Sequence, residues 1–382
     1  MKRLRGKGGD WASGPGRGFT AAALGSALVL LIACASPPPG GPQSSSALSG
    51  APGAASGGFS GEEAVRNLQA LMRAGSRAPG SSSAARAAEW ISGRLHEMGA
   101  KVDAWPSVTA PAAPGTAAPS RVLVGRLAGE GGDPVILAAS YDTLPAERDG
   151  RGPANGAAAA GAAVVLEAGR ILAVAPRPYP VWLLFLEGDG LAGGMPADQV
   201  TSELLRFPGS AAAAAELLDL GLVERVRLVV FVGPLPGPRF VVERDLRSHR
   251  MSRESIWQSA GALGAEQMFP ANDGFASPQA GHLAFLAAGM RPTVALVGRS
   301  GTGSPSPATK IPGAIAEAAE LERLGRVILE SIDQITQRLR RLEAFTKSPL
   351  GEGAPESVSP SPGQASGGEK LPSSPDGPGG WP

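Results

Sequence analysis

The apolar positions of the chain follow two rhythms: the three-and-four spacing of helices, and short unbroken runs bounded by turn residues. Val65, Leu68, Leu71 and Met72 recur at helical spacing behind Ser60 and Glu63, a pair that reads as a capping box opening a helix. A turn at Arg77-Ala78-Pro79-Gly80 leads to a second predicted helix, Ala84 to Met98. It carries Trp90, Ile91, Leu95 and Met98 inward, with Gly99 as its stop. Strand-like runs follow at Arg121–Leu127 and Val135–Ala139, then an alanine-rich helix around Ala157–Ala173. Val181–Glu187, Val226–Val232 and Thr293–Val297 are continuous apolar runs, the mark of strands buried on both faces. The last helix is expected over about Ala314–Phe345. There Leu321, Leu324, Ile328, Ile332, Ile335, Leu339 and Leu342 form one stripe suited to core packing. Buried strands alternating with helices predict an α/β fold of three layers, α/β/α, with a mostly parallel central sheet covered by helices on both faces.

The flanks break this pattern. Lys2, Arg3, Arg5, Lys7 and Arg17 precede an apolar run, Phe19 to Ala33, of about 15 residues. A membrane-spanning helix needs about 20, whereas a basic start followed by a shorter apolar run suits a secretory signal. The run closes on Leu31-Ile32-Ala33-Cys34, which resembles the bacterial lipobox, so Cys34 is the expected lipidation site and residues 1–33 the signal peptide. Several acyl chains there would anchor the protein firmly to a lipid membrane. That places it in the bacterial cell envelope, facing the periplasm or the exterior. Residues 34–58 are rich in Pro, Gly and Ser and read as a tether. Residues 346–382 are again Pro/Ser/Gly-rich, a tail unable to offset its ordering entropy by burial. Residues 59–345 remain as one large domain.

Composition narrows the chemistry. A single Cys excludes an internal disulfide framework and any Cys-rich zinc site. Only three histidines occur, His96, His249 and His282, so at most one His-based metal site is available, and only if they converge. The net charge of +1 turns slightly acidic once residues 1–33 are removed, which excludes a nucleic-acid partner.

In parallel sheets, chemistry gathers beyond the carboxyl ends of the strands. Those ends read Ser140-Tyr141-Asp142-Thr143, Glu187-Gly188-Asp189-Gly190, Gly233-Pro234 and Gly298-Arg299-Ser300-Gly301-Thr302-Gly303. The last is glycine-rich, yet no Lys-Ser/Thr follows, and Ser304-Pro305-Ser306-Pro307 cannot open the helix that a phosphate loop requires. No G-x-S-x-G elbow occurs, which speaks against a serine hydrolase.

The order of these pieces resembles the zinc-dependent aminopeptidases and glutaminyl-peptide cyclotransferases, over about Gly61 to Phe345. RAPGSSSAARAAEWISGRLHEMGAKVDAW is similar to that family's N-terminal helix pair, and VILAASYDT to its strand ending in H-x-D. ANGAAAAGAAVVLEAGRIL resembles its G-A-x-D-x-A-x-G helix, and LLFLEGDG its F-F-D-G-E-E strand end. VVFVGPLPGPRF is similar to L-D-L-x-G-x-x-x-P-x-F, and GHLAFLAAGMRPTVALV to D-H-x-P-F-L-x-x-G-x-P-V-L-x-L. The resemblance implies zinc, but the positions it assigns as ligands differ: Ser140 for the His of H-x-D, Ala157 for the Asp of the next helix, Gly190 for the second Glu of G-E-E, and Val230 for the Asp of L-D-L. No His follows His282 to supply the last ligand, and Gly281 stands where an acid is expected. Asp189 takes the general-base position on an arm one carbon shorter.

The resemblance therefore implies an envelope lipoprotein whose domain has lost its zinc, binds no other cofactor, and holds a peptide or an envelope protein without catalysis. Two alternatives stay open: an active aminopeptidase or cyclotransferase with a rearranged metal site, and a purely structural lipoprotein. Candidate site residues are Asp189, Asp142 and His282, whose convergence would favour the rearranged site. Each has a plainer reading. Asp142 suits an Asx turn before Thr143, His282 lies among Leu283, Phe285 and Leu286 as a structural histidine, and Glu187 suits a loop or helix-dipole partner. Ser140 has no His partner in the sequence to activate it.

Overall fold

Every predicted strand takes its place in one six-stranded sheet of order β1-β2-β4-β3-β5-β7. The strands are β1 (Lys101–Pro106), β2 (Arg121–Leu127), β3 (Val135–Ser140), β4 (Val181–Leu186), β5 (Leu228–Val232) and β7 (Thr293–Leu296). β4, β3, β5 and β7 run parallel, while β1 and β2 are antiparallel at one edge. This computed structural model describes residues 58–106, 121–143, 155–189, 207–300 and 316–347. The expected signal, Cys34, the expected tether up to residue 57 and the expected tail beyond residue 347 lie outside the described residues. A second, two-stranded sheet pairs β6 (Phe240–Val242) with β8 (Gly298–Ser300); β8 is the start of the glycine-rich stretch, whose remainder is also outside them.

Side chains on a strand alternate between faces, and here they divide the core in two. Leu137, Ala139, Leu183, Phe185, Leu228, Val230 and Val232 face a cluster built with five helices. These are α1 (Gly61–Arg73), α2 (Ser82–Glu97), α3 (Asn155–Val174), α5 (Arg250–Ala262) and α7 (Ala318–Lys347). Ile136, Ala138, Leu184, Leu186, Val229 and Phe231 face the opposite cluster, with α4 (Pro208–Asp219) and the short α6 (His282–Ala287). The three layers expected from the sequence are therefore present. α3 is long and apolar enough to cross a membrane, but 72% of that stretch is buried inside the protein. Its apolarity on all sides is that of a core helix. Gly161 lets it press onto the end of β5, because a Cβ there would run into the Val232 carbonyl.

Local details differ from the sequence expectation. The Ser60 hydroxyl accepts from the Glu63 N–H at 3.2 Å, but the return half of the capping box is missing. The Ser60 N–H donates instead to Glu167 on α3, at 2.9 Å, and Glu63 pairs with Arg66 and Arg94. The α7 stripe packs from Leu321 to Ile335 and then leaves the core, with Leu342 54% exposed. β1, α4, α5 and the β6–β8 pair were not apparent in the apolar pattern. β1 alternates weakly around Asp103 and ends at Pro106, and the alanine run of α4 offers no polar contrast from which to read a period.

Candidate functional site

The carboxyl ends of β3 and β4 lie side by side, Ser140 paired in register with Leu186. Three residues beyond Leu186, Asp189 turns back over the sheet. Its Oδ2 accepts from the Ser140 hydroxyl at 2.8 Å and from the Ser210 hydroxyl at 2.6 Å, while Oδ1 accepts from the Ser210 N–H at 2.8 Å. The Gly209 N–H also bonds to this carboxylate. Ser210 is fully buried in the first turn of α4, a helix opened by Pro208 and aimed with its positive end at the carboxylate. Burial raises the Asp189 pKa above its ordinary 3.8; the bonds from Ser210, Ser140 and Gly209 oppose that rise without cancelling it.

Gly281 closes the other side. A Cβ at this position would fall 2.5 Å from Asp189 Oδ2 and 2.7 Å from Phe231 Cε2, and closer still to the Ser210 hydroxyl. No side chain fits there without moving the network, so the position expected to carry an acid is filled by its neighbours.

Asp142 is buried one strand away, and its Oδ2 accepts from the Gly188 N–H at 3.1 Å. The Thr143 hydroxyl accepts from the Arg77 N–H at 2.9 Å, and the Thr143 N–H donates to the Arg77 carbonyl at 3.0 Å. Arg77 is wholly buried and donates to the carbonyls of Tyr141, Leu71 and Gly75. Burial lowers its pKa to about 10, against the opposing charge of Asp142. Glu187 is a loop partner, as expected: its carboxylate accepts from the Gly80 N–H at 2.8 Å, the Tyr141 hydroxyl at 2.8 Å and the Arg121 N–H at 3.2 Å. Burial, reinforced by Glu187, pushes the Tyr141 hydroxyl pKa well above its ordinary value.

His282 does not join Asp142 and Asp189. Its ring is completely buried, with Nε2 3.3 Å from Asp245 Oδ2 and the ring centre 6.2 Å from that of Phe231. Asp245 also accepts from the Ser248 hydroxyl at 2.7 Å and the Arg247 N–H at 3.1 Å. Burial works to raise the Asp245 pKa, but the interactions with His282, Ser248 and Arg247 outweigh it and hold the carboxyl below its usual range. His282 thus lies against Asp245, and among the described residues neither of its ring nitrogens makes a well-formed hydrogen bond. His249 accepts from the Ser252 N–H at the start of α5, and His96 is exposed with Nδ1 2.8 Å from the Ser92 carbonyl. The Ala157 carbonyl accepts from the Leu235 N–H, Val230 lies in the helix-packed core, and Gly190 is outside the described residues.

Two residues of these networks escaped the sequence reading. Ser210 was signalled by Phe207-Pro208-Gly209-Ser210, a helix start with a hydroxyl in its first turn. Asp245 stands among Glu243, Arg244 and Arg247, and nothing in that run singles it out. Among the described residues, no group of three or more His, Cys, Asp or Glu is placed to hold a metal ion.

No family model matches the chain, and no curated protein matches it. Solved structures do. A leucine aminopeptidase precursor from Bacteroides thetaiotaomicron superposes with a TM-score of 0.61 at 19% identity, covering 72% of this chain and 97% of its own. A glutaminyl cyclase from an Acidobacteriales bacterium gives 0.61 at 22% identity, covering 73% and 96%. A Zn-dependent exopeptidase from Parabacteroides distasonis gives 0.59 at 17% identity, covering 72% and 98%. The chain has the α/β fold of zinc-dependent exopeptidases and glutaminyl cyclases, as the motif order implies.

Proposed function

We propose that the chain is an envelope lipoprotein, acylated at Cys34, whose exopeptidase-like domain holds a peptide or an envelope protein and does not carry out zinc catalysis. The observation that supports this most directly is the closed network around Asp189. A catalytic zinc needs about three protein ligands around one open position. Here the carboxylate at the general-base position already accepts from Ser140, Ser210 and Gly209. Among the described residues, the groups that bond to it are hydroxyls and amides, the His282 ring lies against Asp245, and a Cβ at Gly281 would run into the network. The described residues do not fit a zinc ion, so no hydrolytic or cyclising step is assigned to them. Among the described residues, Asp142, Asp189 and His282 form no group placed to hold a metal ion, which speaks against a rearranged site.

The test is metal analysis of the purified full chain by mass spectrometry, together with turnover of amino-acid p-nitroanilides and N-terminal glutaminyl peptides. No stoichiometric zinc and no turnover above background are expected. Bound zinc with turnover that disappears in Asp189→Asn would falsify the reading. The anchor is tested separately: Cys34→Ser should abolish acylation, detected by fatty-acid labelling in the bacterial host, and a labelled Cys34→Ser protein refutes that part alone.

A further inference from the structure

We propose that the exposed end of α7 is a docking face for an anionic lipid surface. α7 outlasts the core it packs on. Up to Ile335 its stripe is buried and Leu339 is partly covered, but Leu342 and Phe345 are 54% and 63% exposed. Arg338, Arg341, Leu342 and Phe345 stand at i, i+3, i+4 and i+7, which puts all four on one face. Among the described residues, the acids beside this face are engaged elsewhere: Glu130 with Arg340, and Glu343 with Arg227. Among the described residues, the Arg341 guanidinium donates to Gln337, at 3.4 Å, and meets no carboxylate. Two exposed apolar side chains flanked by arginines on one helical face match an acyl boundary below anionic headgroups: Leu and Phe enter the apolar layer while the guanidiniums stay with the phosphates.

The inference does not depend on acylation, and its test removes acylation from both arms. The full chain carrying Cys34→Ser and Leu342→Cys is labelled at position 342 with an environment-sensitive fluorophore. It is then mixed with phosphatidylcholine vesicles, with or without phosphatidylglycerol. The expected result is a blue-shifted, brighter emission with phosphatidylglycerol, reversed by high salt. Adding Arg338→Gln and Arg341→Gln should weaken the partition about thirtyfold, since each basic residue near such a surface is worth about 1 kcal/mol, roughly fivefold. Emission unchanged by phosphatidylglycerol overturns the proposal even if the protein sediments with the vesicles, because the face then stays in water. A blue shift that grows with protein concentration without lipid assigns the face to a second copy. Emission already blue-shifted at every dilution assigns it to the chain's own remaining segments. Both results also overturn the proposal.

Discussion

Replacing Asp189 separates a carboxylate that holds the fold from one kept for chemistry. Asp189→Ala strands the Ser210 and Gly209 N–H groups, which cannot turn to find another acceptor, and the Ser140 and Ser210 hydroxyls, which partly can. A buried donor without a partner costs about 1–3 kcal/mol. Counting the two amides fully and the rotatable hydroxyls lightly, Asp189→Ala should cost about 3 kcal/mol, a fall in Tm of roughly 6 °C at this chain size. Asp189→Asn keeps an acceptor oxygen for the amides, and its NH₂ can donate to hydroxyls that reverse their roles. It should therefore cost less than about 1 kcal/mol.

The pH dependence follows from the raised pKa. Stability linked to the protonated carboxyl is fully present below the unfolded value, near 3.8, and is lost as pH rises through the higher folded value. The asparagine variant has no such loss, so its stability relative to wild type should improve between about pH 4 and neutrality. Urea titrations followed by tryptophan fluorescence, at several pH values, measure all three quantities. An alanine variant as stable as wild type would refute the structural role. An asparagine variant as damaged as the alanine one would show that the negative charge itself is needed, as a metal or cationic ligand would require.

Two further outcomes test the surrounding packing. Gly281→Ala should destabilise by about 1–3 kcal/mol, the cost of forcing a methyl group into a filled site; Ser210→Ala in the same chain should recover part of that loss, and strictly additive Tm shifts would contradict the direct clash. Asp245→Asn should cost about 2 kcal/mol or more at neutral pH, because it removes the charge that Ser248 bonds to and that the buried His282 ring faces. Its folded pKa is lowered, so this stability is present above the unfolded value of 3.8 and lost as pH falls through the folded one. The variant's acid-unfolding curve should therefore be shallower than wild type below about pH 4, and parallel curves would exclude the pair as a source of acid sensitivity.

What could be read in advance depended on whether the signal was local. The four parallel strands announce themselves because strands covered on both faces must be apolar throughout, and α3 because a helix beneath such a sheet must be too. Ser140, Asp142 and Asp189 could be picked out because the carboxyl ends of those strands can be found from the strands alone. The partners of those residues could not. Ser210 comes from a helix 21 residues beyond Asp189 with no apolar period of its own, and Asp245 reaches His282 only once β5, α5 and β7 are packed. The half-made capping box has the same cause: Glu167, 107 residues away, takes the Ser60 N–H that Glu63 would have taken. Spacing proposes a bond, and a buried carboxylate brought up by packing displaces it.

The residues at the strand ends constrain one another, which supports the proposed non-catalytic reading. A histidine at position 140 would remove the hydroxyl that donates to Asp189 and add an imidazole beside a carboxylate that Ser210 and Gly209 already hold. An acid at position 281 has no space for its Cβ. An aspartate at position 230 would bury a charge between Leu137 and Val294, the neighbours of Val230 in the sheet, at a cost of several kcal/mol unless it were paired. Changes at positions 140 and 281 would each disturb the bonds that Ser140 and Ser210 make to Asp189. The bonds from Ser140, Ser210 and Gly209 engage both oxygens of Asp189, which leaves this carboxylate little capacity for a substrate. A partner-binding role must then rest on surfaces other than this closed centre, and the basic, apolar end of α7 is one such surface that the described residues present.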